Sequence, residues 1–440
     1  MKTRIKKDFL GEVKLPADCP WGIHTARALD NFPNLGKSVN PRLLTAYFQV
    51  KKACALTNKE LCFLSNADAI IEACSLPPAP CPLPSLQGGA GTSTNMLVNE
   101  LIGRKANAHP IEEVNLHQST NDTYPTALKV AAINGVRELS AAFAALQGVF
   151  QELEKQHANL PILGKTELVD AVPLTLGAQF ASFAEAFARD RWRTFKCEER
   201  LRTVNLGGTA IGTGLTAPRS YIFLVVEKLR EVTGLGLSRA ENMVEATANA
   251  DCFVEVSGIL NAAAVNLIKI SDDLRRLSML GEIKLPAVQA GSSIMPGKVN
   301  PVILESVMQI GIKVKANNAI VSDCAAHGSL QICEFMPLLA DALLESIDLL
   351  IAGANMLAKH AANIEADQGT CLERLYASPE IITAFIPQLG YDRCTELVKQ
   401  VKAQDQLTVR GFLEQELGKE IVERTLAPQN LMALGYRKEN

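Results

Sequence analysis

Apolar residues along this chain recur mostly at helical spacing. The clearest case is Val256, Leu260, Ala263, Leu267, Ile270, Leu274 and Leu277, which follow one another at alternating steps of four and three. Such steps lay one apolar stripe along a long helix, the arrangement of a bundle or coiled coil. Val254, Ile259, Val265 and Ile268 flank the stripe, so the pattern predicts a helix buried on more than one side. Leu176, Phe180, Phe183 and Phe187 repeat the pattern more weakly within 174–204.

Proline placement sets the limits of such helices, because proline interrupts a helix interior. Nine of the 21 prolines precede residue 85, and the runs 126–160, 174–217, 219–285, 302–336 and 338–378 contain none. These runs are rich in good helix formers. The expectation is an all-α, mostly helical chain built on a bundle of five long helices, packed against copies from other subunits. Residues 77–84 (Pro-Pro-Ala-Pro-Cys-Pro-Leu-Pro) read as an extended connector. The chain divides by pattern into 1–118 (mixed), 119–369 (long helices) and 370–440 (a small helical C-terminal domain).

Composition narrows the partners. With 44 basic against 47 acidic residues in 440, the net charge is −3, so no global basic field gathers nucleic acid or an anionic membrane. No run of 18 or more apolar residues is present, which argues against a membrane span, and no apolar segment of signal-peptide type follows the basic start. Eleven cysteines without a CxxC pair fit reduced thiols in a cytoplasmic protein. His24, His157, His327 and His360 show no metal-ligand spacing, and neither a metal nor a cofactor is implied.

Four segments concentrate glycine with small hydroxyl and amide residues. They are Gly88–Asn95, His117–Asp122, Gly164–Glu167 with Asp170, and Gly291–Pro301. The first three also read as helix caps and turns. The first is not a phosphate cradle of known pattern, since GxxxxGK[ST] is absent. The fourth, with its Gly-Ser-Ser start, Pro-Gly turn and Lys298, reads as a mobile loop able to close over a ligand. No Gly-x-Ser-x-Gly elbow surrounds Ser292, so its chemistry fits a base whose alkoxide is stabilised by amides and a cation better than an acyl-transfer nucleophile.

Gly291-Ser-Ser-Ile-Met-Pro-Gly-Lys-Val-Asn-Pro301 resembles the signature loop of the aspartase/fumarase superfamily, and the other three segments resemble that superfamily's substrate-contacting regions in the same order. Further resemblance lies at Pro16–Thr25, Asp170–Gly177, Asn205–Leu215 and Leu389–Asp392, so nearly the whole chain is covered. The family implies a three-domain subunit whose five-helix central domains pool into a twenty-helix homotetramer, with active sites shared between subunits.

Gly91–Asn95, Gln118–Asp122, Ile23–Thr25 and Asp170–Pro173 are more similar to the aspartase branch. That implies an ammonia-lyase that converts L-aspartate to fumarate and ammonia through an aci-carboxylate. A fumarate hydratase, or a lyase for argininosuccinate or another substituted aspartate, is the alternative. By the resemblance, Thr92, Ser119, Thr120 and Thr166 donate hydroxyls to the substrate, and Asn121 binds its amino group or carboxylate. Lys298 and Asn300 bind the α-carboxylate, and Ser292 is the general base. His117 and Glu305 stand behind these residues. His109 resembles a secondary carboxylate site, although His-Pro before a helix is also an ordinary turn.

One departure concerns Glu167, which stands where the family carries His or Gln, next to Lys165 in place of Arg. Glu167 is expected to act as a general acid, to pair with Lys165 in a compensated exchange, to turn out of the pocket, or to mark a different substrate.

Overall fold

The structure, a computed structural model, describes residues 2–33, 35–75, 80–403 and 408–436. Pro77, Pro78 and Ala79 of the expected connector lie outside the described residues. Residues 80–84 are irregular and end in an isolated bridge between Ser38 and Pro84. The fold is all-α. Helices dominate, and strands occur only as two-stranded pairings among the described residues.

Five long helices were expected from the proline-free runs, and five of 25 residues or more are present among the described residues. They are Thr120–Gln156, Leu176–Leu201, Asp251–Met279, Val302–Ala326 and Met336–Ala361. The third run is broken before its long helix begins. A shorter helix, Arg219–Thr233, ends at Gly234 in the left-handed conformation, a common helix stop. The first long helix starts six residues ahead of its proline-free run and contains Pro125.

The stripe on Asp251–Met279 is buried as its spacing predicts, and no member of it exceeds 9% exposure. That helix also meets a looser criterion than a run of 18 apolar residues. By length and composition alone it is apolar enough to cross a membrane, with a hydropathy of 1.5 in its best window. The physical reason is that a core helix buried on several sides needs the same low charge.

The chain forms two compact units, and the division falls inside each of the five long helices. One unit comprises Met1–Ala141, Arg191–Ala264 and Ile310–Ile351. Here the helix Pro41–Glu60 packs against Ala67–Cys74 and Arg219–Thr233. Buried Glu100 fastens the entry of the helix Ile23–Asn31. Its carboxylate accepts from the backbone N–H groups of Gly22, His24 and Thr25 at 2.8, 2.9 and 3.2 Å and from Thr25 Oγ1 at 2.6 Å. A carboxylate at a helix N-terminus satisfies orphan donors and the dipole together. A Cβ on Gly22 would lie 2.6 Å from Glu100 Oε1, so any larger residue there would have to displace the Glu100 carboxylate.

The other unit comprises Ala142–Asp190, Val265–Gln309 and Ala352–Asn440. Its centre is an aromatic stack in which Phe150 lies 5.6 to 6.2 Å from Phe180, Phe183 and Phe187. The turn between the helices that carry these rings holds the hairpin Pro161–Thr166/Val169–Thr175. A separate core joins Leu163 of this hairpin to Leu375, Ile381, Phe385, Leu397, Phe412 and Val422.

Phe150 is fully buried and touches three other rings, so Phe150→Ala is expected to cost about 4 kcal/mol of stability. A urea titration with the slope unchanged checks this, and a loss under about 1 kcal/mol would show a core able to collapse into the space.

Candidate active site

The site residues expected from the sequence fall on three pieces of backbone. The first joins Gly88–Asn95 to Ser119–Asp122 within one unit. Gly91 ends the glycine-rich turn at φ 90° and leads into the helix Thr92–Ala106. A Cβ at Gly91 would sit 2.1 Å from the Tyr124 ring, so the ring packs straight onto the bare backbone. Thr92 is exposed and Ser93 half-buried, whereas Thr94 and Asn95 turn inward. Asn95 Nδ2 donates to Thr120 Oγ1 at 3.1 Å, which ties the two segments together.

The start of the Thr120–Gln156 helix is held from the side. Asp122 is fully buried, and its carboxylate accepts from the backbone N–H groups of Ser119, Gly207 and Thr209 at 3.0, 3.0 and 3.1 Å. Burial pushes its carboxyl up to about 7, against the pull of those three donors. Pro125 has no N–H to give the carbonyl four residues back, that of Asn121. Asn205 Nδ2 takes its place at 3.0 Å and also donates to Thr247 Oγ1 at 2.9 Å. Asn121 Nδ2 in turn donates to Ala210 O at 2.7 Å. The stretch Asn205–Ala210 is therefore the mould in which Ser119–Asn121 sits.

The second piece is the hairpin Pro161–Thr166/Val169–Thr175. Thr166 pairs with Val169, so Glu167 and Leu168 form a two-residue turn, with φ of 52° and 66°. Such turns favour Asn-Gly, and two ordinary residues held there are strained. Thr166 and Glu167 are exposed at this tip. The expected Lys165–Glu167 pairing is not formed. Lys165 Nζ donates to Glu282 Oε1 at 2.9 Å and to Leu163 O at 2.6 Å instead. Glu282 is fully buried with Arg374 3.5 Å away, a low-dielectric anchor that outcompetes an exposed partner on the turn.

The third piece is the loop Gly291–Pro301. Gly291 N donates to Lys298 O and Asn300 Nδ2 to Gly291 O, both at 2.7 Å, so the loop is closed at its base. A Cβ at Gly291 would meet Asn300 N at 2.8 Å. Within it, Ser292 Oγ accepts from the N–H groups of Ile294 and Met295 at 3.2 and 3.0 Å. A depression of about 500 Å³ opens against this loop, lined by Val288, Ser292, Met295 and Lys298 among others. Lys298 and Val299 are exposed.

The supporting residues divide. His117 stands at φ 63° with Nδ1 2.8 Å from Asn58 Oδ1, and its ring lies 5.1 and 5.2 Å from Phe63 and Tyr221. It backs the turn before Ser119, and partial burial holds its pKa below the ordinary range. Glu305 faces Arg275 at 3.8 Å. His109 caps the turn that follows it, accepting from Ile111 and Glu112 N–H groups through Nδ1. Sequence reasoning overlooked Lys51 and Asn115, which lie beneath the first piece. Lys51 sits among apolar helix positions, and that misplaced charge was the available signal. Among the described residues, no group of three or more His, Cys, Asp or Glu side chains is placed to hold a metal ion.

Hydroxyl and amide donors without a buried cationic cluster suit binding and elimination chemistry on a small anion. The comparisons with known proteins agree. A family model described as Lyase matches residues 11–315. Aspartate ammonia-lyase of Corynebacterium glutamicum is 38% identical, with 99% of this chain and 88% of that protein aligned. Aspartate ammonia-lyase of Escherichia coli K12 is also 38% identical, over 99% and 97% of the two chains. Among solved structures, a fumarate lyase:delta crystallin from Brucella melitensis bound to cobalt superposes with a TM-score of 0.92 at 38% identity, covering 99% of this chain and all of the other. A class II fumarase from Schistosoma mansoni gives 0.91 at 27% identity, with 99% and 100% covered. The chain belongs to the aspartase/fumarase superfamily. It is a carbon–nitrogen lyase, similar over its full length to aspartate ammonia-lyases.

Two substitutions test the first piece. Gly91→Ala forces a methyl into the Tyr124 ring at a left-handed φ and is expected to cost about 2–4 kcal/mol. Asp122→Ala strands three buried N–H donors and is expected to cost about 3 kcal/mol or more. Chemical denaturation measures both, and unchanged midpoints would disprove the mould described for Ser119–Asn121.

Proposed function

We propose that this chain is an ammonia-lyase acting on L-aspartate, with Ser292 as the base that removes the Cβ proton. The observation that carries the proposal is the pair of N–H donors on Ser292 Oγ. A serine alkoxide is far too basic to persist unaided, and two amides aimed at the oxygen favour its charged form. Lys298, six residues along the closed loop, adds positive charge. The same polarity recurs elsewhere. Thr120 Oγ1 accepts from Asn95 Nδ2, and Ser119 Oγ accepts from Asn121 N at 3.2 Å. Each hydroxyl then keeps its own proton to donate.

In this reading the developing aci-carboxylate is met by Thr92, Ser119, Thr120 and Thr166. The α-carboxylate is met by Lys298 and by the remaining N–H of Asn300. Asn121 and the Glu167 carboxylate face the substrate ammonium, which leaves as ammonia with the electron pair of the C–N bond. Four segments so distant in sequence are pooled by a homotetramer of three-domain subunits (1–118, 119–369, 370–440), whose long helices form a twenty-helix core in the cytoplasm. Trp192, Phe195 and Ile312, each more than half exposed on long helices, supply apolar surface for such packing. A second reading, a lyase for a substituted aspartate, draws on Glu167 alone, whose nearest lysine in sequence is committed to Glu282.

The test is the absorbance of fumarate with L-aspartate, and separately with L-malate. Fumarate from aspartate alone is expected, falling by roughly a thousandfold in Ser292→Ala with the fold intact. Fumarate from malate alone, or undiminished activity in the variant, overturns the proposal. Glu167→Gln is expected to raise KM for aspartate by about tenfold through the lost attraction to the substrate ammonium. An unchanged KM would remove Glu167 from the site.

A further inference from the structure

A single amide oxygen lies beneath the first site piece and gathers three donors. Asn115 Oδ1 accepts from Lys51 Nζ at 2.9 Å, Asn95 Nδ2 at 3.2 Å and Asn99 Nδ2 at 3.1 Å. Asn95 Nδ2 is also the group that reaches Thr120 Oγ1, and Asn115 Nδ2 donates to Gln118 O at 3.2 Å. Lys51 Nζ donates a second time, to Gln118 Oε1 at 2.8 Å. The Thr92–Asn95 turn and the Gln118–Asn121 segment therefore hang on one carboxamide and one ammonium.

Lys51 is 1% exposed, and both of these partners are neutral amides. A buried ammonium held only by amides is costly to fold and acts at long range in a low dielectric. We propose that Lys51 is a positioning residue for the substrate site, setting the Ser119 and Thr120 hydroxyls through Asn115 and Gln118 while its charge favours a dianionic ligand above them. The proposal rests on the ammonia-lyase reading.

The pH dependence follows from the groups packed around Lys51. These are Cys54 on its own helix, Cys74 on Ala67–Cys74 and Asp122 at the start of Thr120–Gln156. Desolvation draws Lys51 down to about 8 and raises both thiols to about 12, so the thiols stay neutral while Lys51 titrates. Asp122 is half ionised near 7 and mostly ionised by about 8. Above about 8 the proton leaves Lys51, and the hub loses a donor and its charge.

The experiment measures kcat and KM for L-aspartate from pH 7 to 9 in the full-length wild type, Lys51→Met and Asn115→Asp. The wild type is expected to show KM rising above pH about 8. In Lys51→Met, KM at neutral pH should rise about tenfold, kcat should change much less, and the alkaline rise should vanish. Asn115→Asp places a carboxylate against the ammonium, so KM should rise at neutral pH and the alkaline rise should move to higher pH. This near-isosteric variant carries the test if Lys51→Met does not fold. Wild-type turnover with KM and its pH profile unmoved in the folded variants overturns the positioning role alone. Absence of wild-type turnover of aspartate overturns the reading of the site on which it rests.

Discussion

Asp122 is a fully buried carboxylate held by three backbone N–H groups. Two of those donors belong to Gly207 and Thr209, so the carboxylate decides where the loop after Thr203 lies against the start of the Thr120–Gln156 helix. Desolvation and hydrogen bonding oppose each other on this group. Desolvation wins, which is why its pKa stands near 7 and not below the usual carboxylate range. The cost is offset by what depends on it. Asn205, on the same loop, supplies the donor that Pro125 cannot. Asn121 spends one N–H on Ala210 of that loop. The three residues Ser119–Asn121 thus stand at a helix start that the loop Asn205–Ala210 fixes from the side.

The hairpin in the other unit is fixed by a similar balance. Left-handed backbone at Glu167 and Leu168 costs roughly 1–3 kcal/mol at each residue. Lys165, two residues from the turn, is fastened to buried Glu282, and breaking such a pair costs about 3–5 kcal/mol. The two magnitudes are comparable. The flanking strand pairs and the Leu163 core contact therefore have to carry part of the load that keeps the tip in its strained form. A register slip that relaxed the turn would turn Lys165 away from Glu282 and Leu163 out of its cluster.

The fold was legible because its signals are one-dimensional. The 256–277 stripe and the Leu176–Phe187 repeat are buried where their spacing put them, and proline-free runs located five long helices. The boundaries were less so. Pro125 lies inside a helix because Asn205, eighty residues away, takes the freed carbonyl, and no local pattern reports that. The site segments were legible as resemblance, but their partners were not. Lys165 stands beside Glu167 in sequence and bonds Glu282, because a buried carboxylate offers a lower dielectric than an exposed one. The charge of Lys51 among apolar helix positions was a signal that it is unusual, but only the fold shows that its end meets Asn115 and Gln118.

Glu167 bears on which dicarboxylate the proposed site selects. With Lys165 committed elsewhere, the turn residue brings an uncompensated negative charge to its hairpin tip. Against a substrate of two carboxylates and nothing else, such a charge about 5 Å away costs on the order of 3 kcal/mol at an effective dielectric of about 20. L-Malate is such a substrate. L-Aspartate carries an ammonium on the carbon next to the one that loses its proton, so the same charge attracts the group that must leave. The attraction is also useful to the chemistry, because ammonia departs only after the nitrogen has been kept protonated. A carboxylate is therefore a liability for hydration of fumarate and an asset for elimination of ammonia. Glu167, one of the two departures from the family pattern, thus fits the proposed amino substrate on electrostatic grounds.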